Sequence, residues 1–312
     1  MTPEQISSIL NLMVVMATPL AFAGVGELYA ERSGILNLGV EGIMLMGAFT
    51  SFYVAHETGN LLLAYLAGVA VGLALGLLMA FMSVSMRLNQ VIAGMGIYFF
   101  GFGLSDFMYK TIYGTEYASI EKAHQIAVPL LSKIPIIGNA FFVQYPSVYL
   151  MYVLIPVMWY LLYRSRWGLH LRAVGENPRA ADTLGVNVTL IRYLATVLGA
   201  ALAGLAGAVL CVEITGIFFE NLTFGMGFIA IGLVYFGRWD PLRMWAGTML
   251  FGLSWSIAMS LQDYFSRIGK MHWVYFMLMI PYIVVLLALI AVSRKARAPA
   301  ALSKPYWRET SE

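Results

Sequence analysis

Long apolar runs separated by short polar breaks make up most of the chain. The first extends from Ser7 to Gly26, and others follow at about 35–54, 61–86, 91–109, 146–163, 191–213, 222–237, 243–262 and 272–292. Each is close to the roughly 20 residues that a helix needs to cross hydrocarbon. The pattern therefore predicts an all-α polytopic membrane protein with nine transmembrane helices. One stretch departs from it: Trp167 to Thr189, WGLHLRAVGENPRAADTLGVNVT, is a charged island between two strongly apolar runs. Within it Asn177 suits a helix N-cap, Pro178 the first helical position and Gly185 the left-handed turn that ends a helix. The predicted helix has only two turns and, at about 1.5 Å per residue, is roughly 10 Å long, too short to span a bilayer and marginal in water unless it packs against something. Ala180, Ala181 and Leu184 give it a small apolar face at helical spacing, on which another surface can close. An ordinary ordered loop is the plainer reading of the same residues.

Composition agrees with the runs. The chain has 312 residues, 60% hydrophobic and 11% charged, with a mean hydropathy of +0.78, which excludes an ordinary soluble domain and predicts one transmembrane domain over 1–312. Within it lie a cytoplasmic loop at 165–190 and a basic tail at 293–312. A net charge of +3 is small, so no nucleic-acid partner is implied. Its placement is more informative. With the island in the cytoplasm, the inside segments hold Arg32, Arg87, Arg164, Arg166, Arg172, Arg179, Arg192, Arg238, Arg243, Arg294, Lys295, Arg297, Lys304 and Arg308, 14 of the 19 Lys and Arg. Lys110, Lys122, Lys133, Arg267 and Lys270 stay outside. The positive-inside rule then predicts an external N-terminus and a cytoplasmic C-terminus. Ala21-Phe22-Ala23 resembles a signal-peptide cleavage site, but no Lys or Arg precedes the first run, so a retained helix is expected. The connection from Thr111 to Tyr145 is long enough to fold over the outer mouth, and the basic tail is expected to lie loosely on the anionic inner leaflet. Cys211, the single cysteine, reads as a buried structural thiol.

A weak internal repeat aligns Leu36-Asn37-Leu38-Gly39-Val40-Glu41-Gly42-Ile43 with Leu222-Thr223-Phe224-Gly225-Met226-Gly227-Phe228-Ile229. The predicted topology runs these two helices in opposite directions, as inverted repeats require. Ala64, Gly68, Gly72, Gly76 and Ala80 form one small-residue stripe, and Gly199, Ala203 and Gly207 another, for close helix packing. Gly94, Gly96, Gly101 and Gly103 in one run, and Gly225, Gly227, Gly232 and Gly237 in another, predict helices that bend or break. A charged group within hydrocarbon costs on the order of 3 kcal/mol and usually faces a cavity or a partner. The candidates for a substrate path are Asn37, Glu41, Thr223 and Asn89. For Glu41 the alternative is a carboxylate satisfied by backbone donors in a broken helix. For Asn89, with Gln90 beside it, the alternative is helix capping. Glu213 and Glu220 are expected at the outer surface.

No G-x-x-x-x-G-K-[ST], H-E-x-x-H or G-x-S-x-G motif is present, and the four histidines are scattered, so no catalytic residues, metal ligands or cofactor are predicted. Gly175-Glu176-Asn177-Pro178-Arg179-Ala180-Ala181 followed by Gly185-Val186 resembles the cytoplasmic coupling helix of bacterial ABC-importer permeases, in the family that serves branched-chain amino acids, simple sugars and nucleosides. Gly26-Glu27-Leu28-Tyr29-Ala30-Glu31-Arg32-Ser33-Gly34-Ile35-Leu36-Asn37-Leu38-Gly39-Val40-Glu41-Gly42 resembles a block near the start of the nucleoside and simple-sugar branch. With the helix count, the resemblance covers nearly the whole chain. It implies a non-enzymatic permease subunit in the bacterial inner membrane, bathed in membrane lipid, that moves a small polar solute such as a nucleoside or simple sugar. Its implied partners are an ABC ATPase subunit docked on Gly175, Glu176, Asn177, Pro178, Arg179, Ala180, Ala181 and Gly185, a second permease chain in a heterodimer, and an extracytoplasmic substrate-binding protein. An ion-coupled secondary transporter with Glu41 and Asp106 as ion sites is the alternative, and a channel finds no ring of charges or filter motif to support it.

Overall fold

The computed structural model describes residues 3–114, 118–293 and 296–307. Arg294, Lys295 and Arg308, which entered the charge count, lie outside the described residues. The helices are α1 (Pro3–Arg32), α2 (Val40–Thr58), α3 (Leu61–Ala80), α4 (Gln90–Tyr113), α5 (Ile137–Phe142), α6 (Pro146–Arg164), α7 (Arg166–Glu176), α8 (Pro178–Thr183), α9 (Val188–Val209), α10 (Met226–Phe236), α11 (Pro241–Arg267), α12 (Met271–Met277) and α13 (Ile280–Ser293). Two short strands, β1 (Ile126–Ala127) and β2 (Val143–Gln144), pair antiparallel in the connection before α6. Among the described residues seven helical stretches are long and apolar enough to cross a membrane: 3–32, 61–85, 90–113, 146–164, 188–215, 241–267 and 271–292. Helix α2 has 19 residues but carries Glu41, His56 and Glu57, and α10 has 11, which at about 1.5 Å each reach only half-way across the hydrocarbon.

Helix α9 is central and packs against α1, α2 and α3. The small-residue stripe of α3 meets Ala200 and Gly204 of α9, while Gly199 and Gly207 of the second stripe close on Gly26 of α1 and Met44 of α2. A Cβ at Gly72 would lie 2.4 Å from the Ala200 carbonyl oxygen, and one at Gly204 2.2 Å from that of Gly68. Lipid tails are as apolar as side chains, so close backbone approach and dispersion hold such helices together rather than expulsion of water. Both α3 and α9 run on into π-helical turns, Phe81–Ser85 and Leu210–Thr215.

Two of the expected spans begin late. Residues 33–39 and 216–225 are non-helical, although the apolar runs predicted helix from 35 and from 222. Left-handed backbone at Asn221 (φ 58°), Phe224 (φ 47°) and Gly225 (φ 79°) prevents helix there. Unwound backbone at membrane depth must be enclosed by protein, and Ser33, Ile35, Asn37, Phe218, Leu222 and Thr223 are all buried. The glycine-rich α4, in contrast, stays one continuous helix: Gly94 and Gly101 are used for close packing on Leu38 and Gly42.

The connection between α4 and α6 is tied down where it is described. Ile120 N–H donates to the Gly216 carbonyl (2.9 Å) and Ala123 N–H to that of Val212 (3.1 Å), while Asn11 Nδ2 donates to Asn139 O (2.8 Å) and Val143 O (3.0 Å). It therefore caps the start of α1 and the end of the π turn after α9. Glu213, expected at the outer surface, is instead buried in that turn. It accepts hydrogen bonds from the Tyr65 hydroxyl (2.7 Å) and from the Ser147 hydroxyl and N–H (2.5 and 3.3 Å), which satisfy it away from water. Glu220 does remain exposed, facing Lys110 at 3.3 Å.

Candidate functional site

Glu41 lies in the first turn of α2, and its carboxylate reaches the start of α10. Oε1 accepts from the Thr223 hydroxyl and from Gly225 N–H (2.8 Å), and Oε2 from Gly227 N–H (2.6 Å). The first N–H groups of a helix have no intrahelical acceptor and carry the positive end of its dipole, so a carboxylate is the natural partner for them. Gly227 is required by the approach, because a Cβ there would lie 2.6 Å from Glu41 Cα. The two octapeptides that align in sequence thus meet in space. Gly39 is the N-cap of α2 and its counterpart Gly225 that of α10, while Glu41 bonds the backbone of its counterpart, Gly227.

Asn37 belongs to the same turn. Its side-chain oxygen accepts from Gly39 N–H (3.0 Å), and its own N–H donates to Glu27 Oε1 (2.8 Å). Asn37, Glu41 and Thr223 are 2%, 1% and 0% exposed, so all three are enclosed by protein, Glu41 bonded to Thr223 and Asn37 to Gly39 and Glu27. Asn89 is not among them. Exposed at the start of α4, it caps that helix by accepting from Val91 N–H (2.9 Å) and Ile92 N–H (3.2 Å). Its neighbour Gln90 is buried and accepts from Leu36 N–H (2.8 Å). Asp106 forms an ion pair with Lys110 (2.7 Å) one turn along α4. Beside the Glu41 network lies an aromatic surface: Tyr98 meets Phe228 edge to face at 5.2 Å, and Phe224 and Tyr282 are both exposed.

Two buried carboxylates were not picked out as candidates. Glu27 and Glu31 stand one turn apart near the end of α1, Glu27 on Asn37 N–H and Glu31 accepting from Trp239 Nε1 (2.5 Å). Their place in the Gly26–Gly42 block is the signal the sequence offers, but the first apolar run ends at Gly26 and excludes them.

The island holds two helices, not one. Ser165 caps α7 by accepting from Gly168 N–H (3.0 Å), and Trp167 stacks on Tyr29 with ring centroids 5.4 Å apart. Gly168, Leu171, Val174 and Gly175 are the buried face of α7. Gly175 is closed against the Arg32 carbonyl, which a Cβ would approach to 2.0 Å. Asn177 then caps α8 by accepting from Ala180 N–H (3.1 Å), Pro178 occupies the first turn, and Gly185 takes φ +83° after the helix ends. The expected docking face is divided. Ala181 is 3% exposed and belongs to the protein core, whereas Ala180 is exposed and Leu184 is 84% exposed. Helical spacing alone could not tell which side of so short a helix the bundle covers. Glu176, Asn177 and Arg179 are exposed and Pro178 is half-buried.

The profile of the family "Branched-chain amino acid transport system / permease component" matches residues 8–292. The chain belongs to that family. The guanosine ABC transporter permease protein NupQ of Bacillus subtilis is 35% identical over 313 residues, covering 96% of this chain and 97% of its own. The nucleoside ABC transporter permease protein NupC of Lactococcus lactis is 36% identical over 79% of this chain and 80% of its own. TsgC13 of Haloferax volcanii, assigned as a glucose ABC transporter permease, is 43% identical over 79% of this chain and 75% of its own. This branched-chain-type permease is thus the transmembrane subunit of an ABC importer, a multi-pass inner-membrane protein and not itself an enzyme. Such a subunit works with an ATPase subunit and a substrate-binding protein.

Proposed function

We propose that this permease carries a nucleoside or a simple sugar inward, through a path between it and a second permease chain. In this reading α2 and the short α10 with its unwound approach join the seven long spans as crossings, nine in all, so that the termini lie on opposite sides, and the basic residues favour a cytoplasmic C-terminus. The observation that carries this reading is the Glu41 crossing, where the aligned starts of α2 and α10 meet. Inverted repeats commonly join at broken helices near the midplane, where the substrate site forms. In this reading Asn37, Glu41 and Thr223 hold the path wall in shape from behind, and the aromatic surface of Tyr98, Phe224, Phe228 and Tyr282 faces the solute. Nucleobases and sugar rings both stack on such side chains. Asn89 then serves at the inner mouth as a cap. The relatives named for guanosine, nucleoside and glucose transport support the substrate class.

The exposed parts of Glu176–Gly185 are the contact with the ATPase. The two permease chains need not be identical, and lipid covers the apolar faces of α3, α6 and α13. The test is uptake of labelled guanosine and glucose by the assembled transporter in proteoliposomes, with ATP inside and the binding protein outside. ATP-dependent accumulation of either supports the reading; uptake that ignores ATP but follows a proton or sodium gradient overturns it. Orientation is checked separately: a cysteine at His124 should react with an impermeant thiol reagent from outside and one at Asn177 should not.

A further inference from the structure

The basic tail was expected to lie loosely on the inner leaflet, yet its described part, residues 296–307, folds back over the island. Ala301 N–H donates to Gly175 O (2.9 Å) and Ala300 N–H to Glu176 Oε2 (3.4 Å), at the end of α7. Ser303 N–H donates to Gly34 O (3.1 Å) in the turn between α1 and α2. Arg192, 1% exposed in the first turns of α9, spans from Ser33 O (3.2 Å) to Lys304 O (3.2 Å). Farther along, the Tyr306 hydroxyl donates to Asp182 Oδ2 of α8 (2.9 Å), and the Arg87 guanidinium lies over the Trp307 ring at 4.2 Å from its centroid. Arg87 sits at the junction between α3 and α4 in left-handed backbone (φ 56°), which non-glycine residues seldom adopt. One short segment therefore reaches the α1–α2 turn, the end of α7, α8 and the α3–α4 junction.

We propose that residues 300–307 are a strap that makes α8 and the α3–α4 junction move as one body, with Tyr306 and Trp307 as positioning residues for coupling. The proposal rests on the reading of α8 as the ATPase contact. Helix α8 has six residues and one buried side chain, Ala181, so it is too short to hold its own shape under load. What keeps it seated must come from elsewhere in the fold. The contacts at 300–304 run through the strap's own backbone and tolerate many side chains. Those at 306 and 307 depend on a hydroxyl and a ring, and they connect α8 to the junction that leads into both α3 and α4. A pull on α8 is then delivered to two membrane helices besides α9, to which it is joined in sequence.

The test uses the assembled transporter purified through this chain, comparing wild type with the double variant Tyr306→Phe/Trp307→Ala and the conservative variant Trp307→Phe. Two readouts are taken: hydrogen exchange of the α8 amides, and solute transported per ATP hydrolysed. The double variant should exchange faster at α8 and lose coupling by roughly fivefold, the factor that corresponds to one hydrogen bond of ordinary strength. ATPase co-purification should be retained, and Trp307→Phe should keep most of the coupling. Faster exchange with unchanged coupling would make the strap merely structural and overturn the proposal, as would no change in either readout or loss of the ATPase from the complex. A wild type without ATP-dependent uptake would instead remove the functional reading beneath it, while exchange at α8 still reported whether the strap exists.

Discussion

At the interior crossing one carboxylate, 1% exposed, receives three donors from the start of α10; in the island α8 leaves Leu184 84% exposed and is held by a few contacts from a tail. Both places fix the end of a short helix, and their difference follows from the solvent. Inside the membrane no water can satisfy an unwound backbone, so each free N–H must be met by protein. At α8 water can serve the same groups, so the helix can leave an apolar side chain exposed. The crossing is closed on all sides by protein, whereas α8 keeps one side open for the docking proposed above.

The largest effect is expected from breaking the crossing. Glu41→Ala would leave the buried Thr223 hydroxyl and Gly227 N–H, and the half-buried Gly225 N–H, without acceptors, at a cost of about 1–3 kcal/mol for each buried group. The variant should be recovered poorly or melt well below wild type in detergent, read by thermal denaturation of the purified permease. Glu41→Gln sharpens the point, because the amide replaces one acceptor by a donor facing donors. It should also destabilise, though less, and the uptake that survives should remain ATP-dependent. Full stability in Glu41→Ala would show that the network is not what holds the starts of α2 and α10 together.

Next comes Ala181→Trp. Since Ala181 faces the bundle, a large ring there would overpack the seat of α8 at about 1–3 kcal/mol, with exchange rising across 177–186 and ATPase association lost as a consequence. An intact α8 with normal exchange would mean that the seat is looser than its burial indicates. Asn177→Ala acts on the same helix more gently. It removes the acceptor for Ala180 N–H, worth about 1 kcal/mol, and should raise exchange in the first turn of α8 with little change elsewhere.

These residues also show what was legible beforehand. Asn177, Pro178 and Gly185 carry local chemistry that belongs to helix ends, so α8 could be bounded to within a residue. The apolar runs and the glycine stripes located the bundle and the packing around α9 for the same reason: their signal is in the side chains. Helix α7 was hidden because two of its four buried positions, Gly168 and Gly175, are glycines that hydropathy does not register. The partners of Glu41 are mostly backbone N–H groups, which leave no mark in the sequence beyond the small residue at Gly227. The strap was read as loose tail because its contacts at 300, 301 and 303 are also made by backbone N–H groups, which a basic, proline-containing composition does not reveal.

The smallest change in stability, and the sharpest test of the contrast, is expected at Leu184. Its side chain is 84% exposed, so Leu184→Ser removes almost no buried surface and should shift the melting temperature hardly at all, as surface substitutions usually stay within about 0.5 kcal/mol. Its role in the assembly is a different matter. An exposed leucine on a short capped helix is the kind of apolar anchor that a groove in a partner buries, and full burial of such a side chain is worth roughly 1.5–3 kcal/mol. At that size ATPase association should weaken by about tenfold or more, since 1.4 kcal/mol is a factor of ten in affinity. Pull-down of the ATPase subunit at graded concentrations, run beside the melting curve, separates the two effects. A normal melting curve with weakened association confirms that the island is held from one side and gripped from the other. Unchanged association would move the grip away from Leu184, to the polar residues Glu176 and Arg179 at the opposite end of the helix.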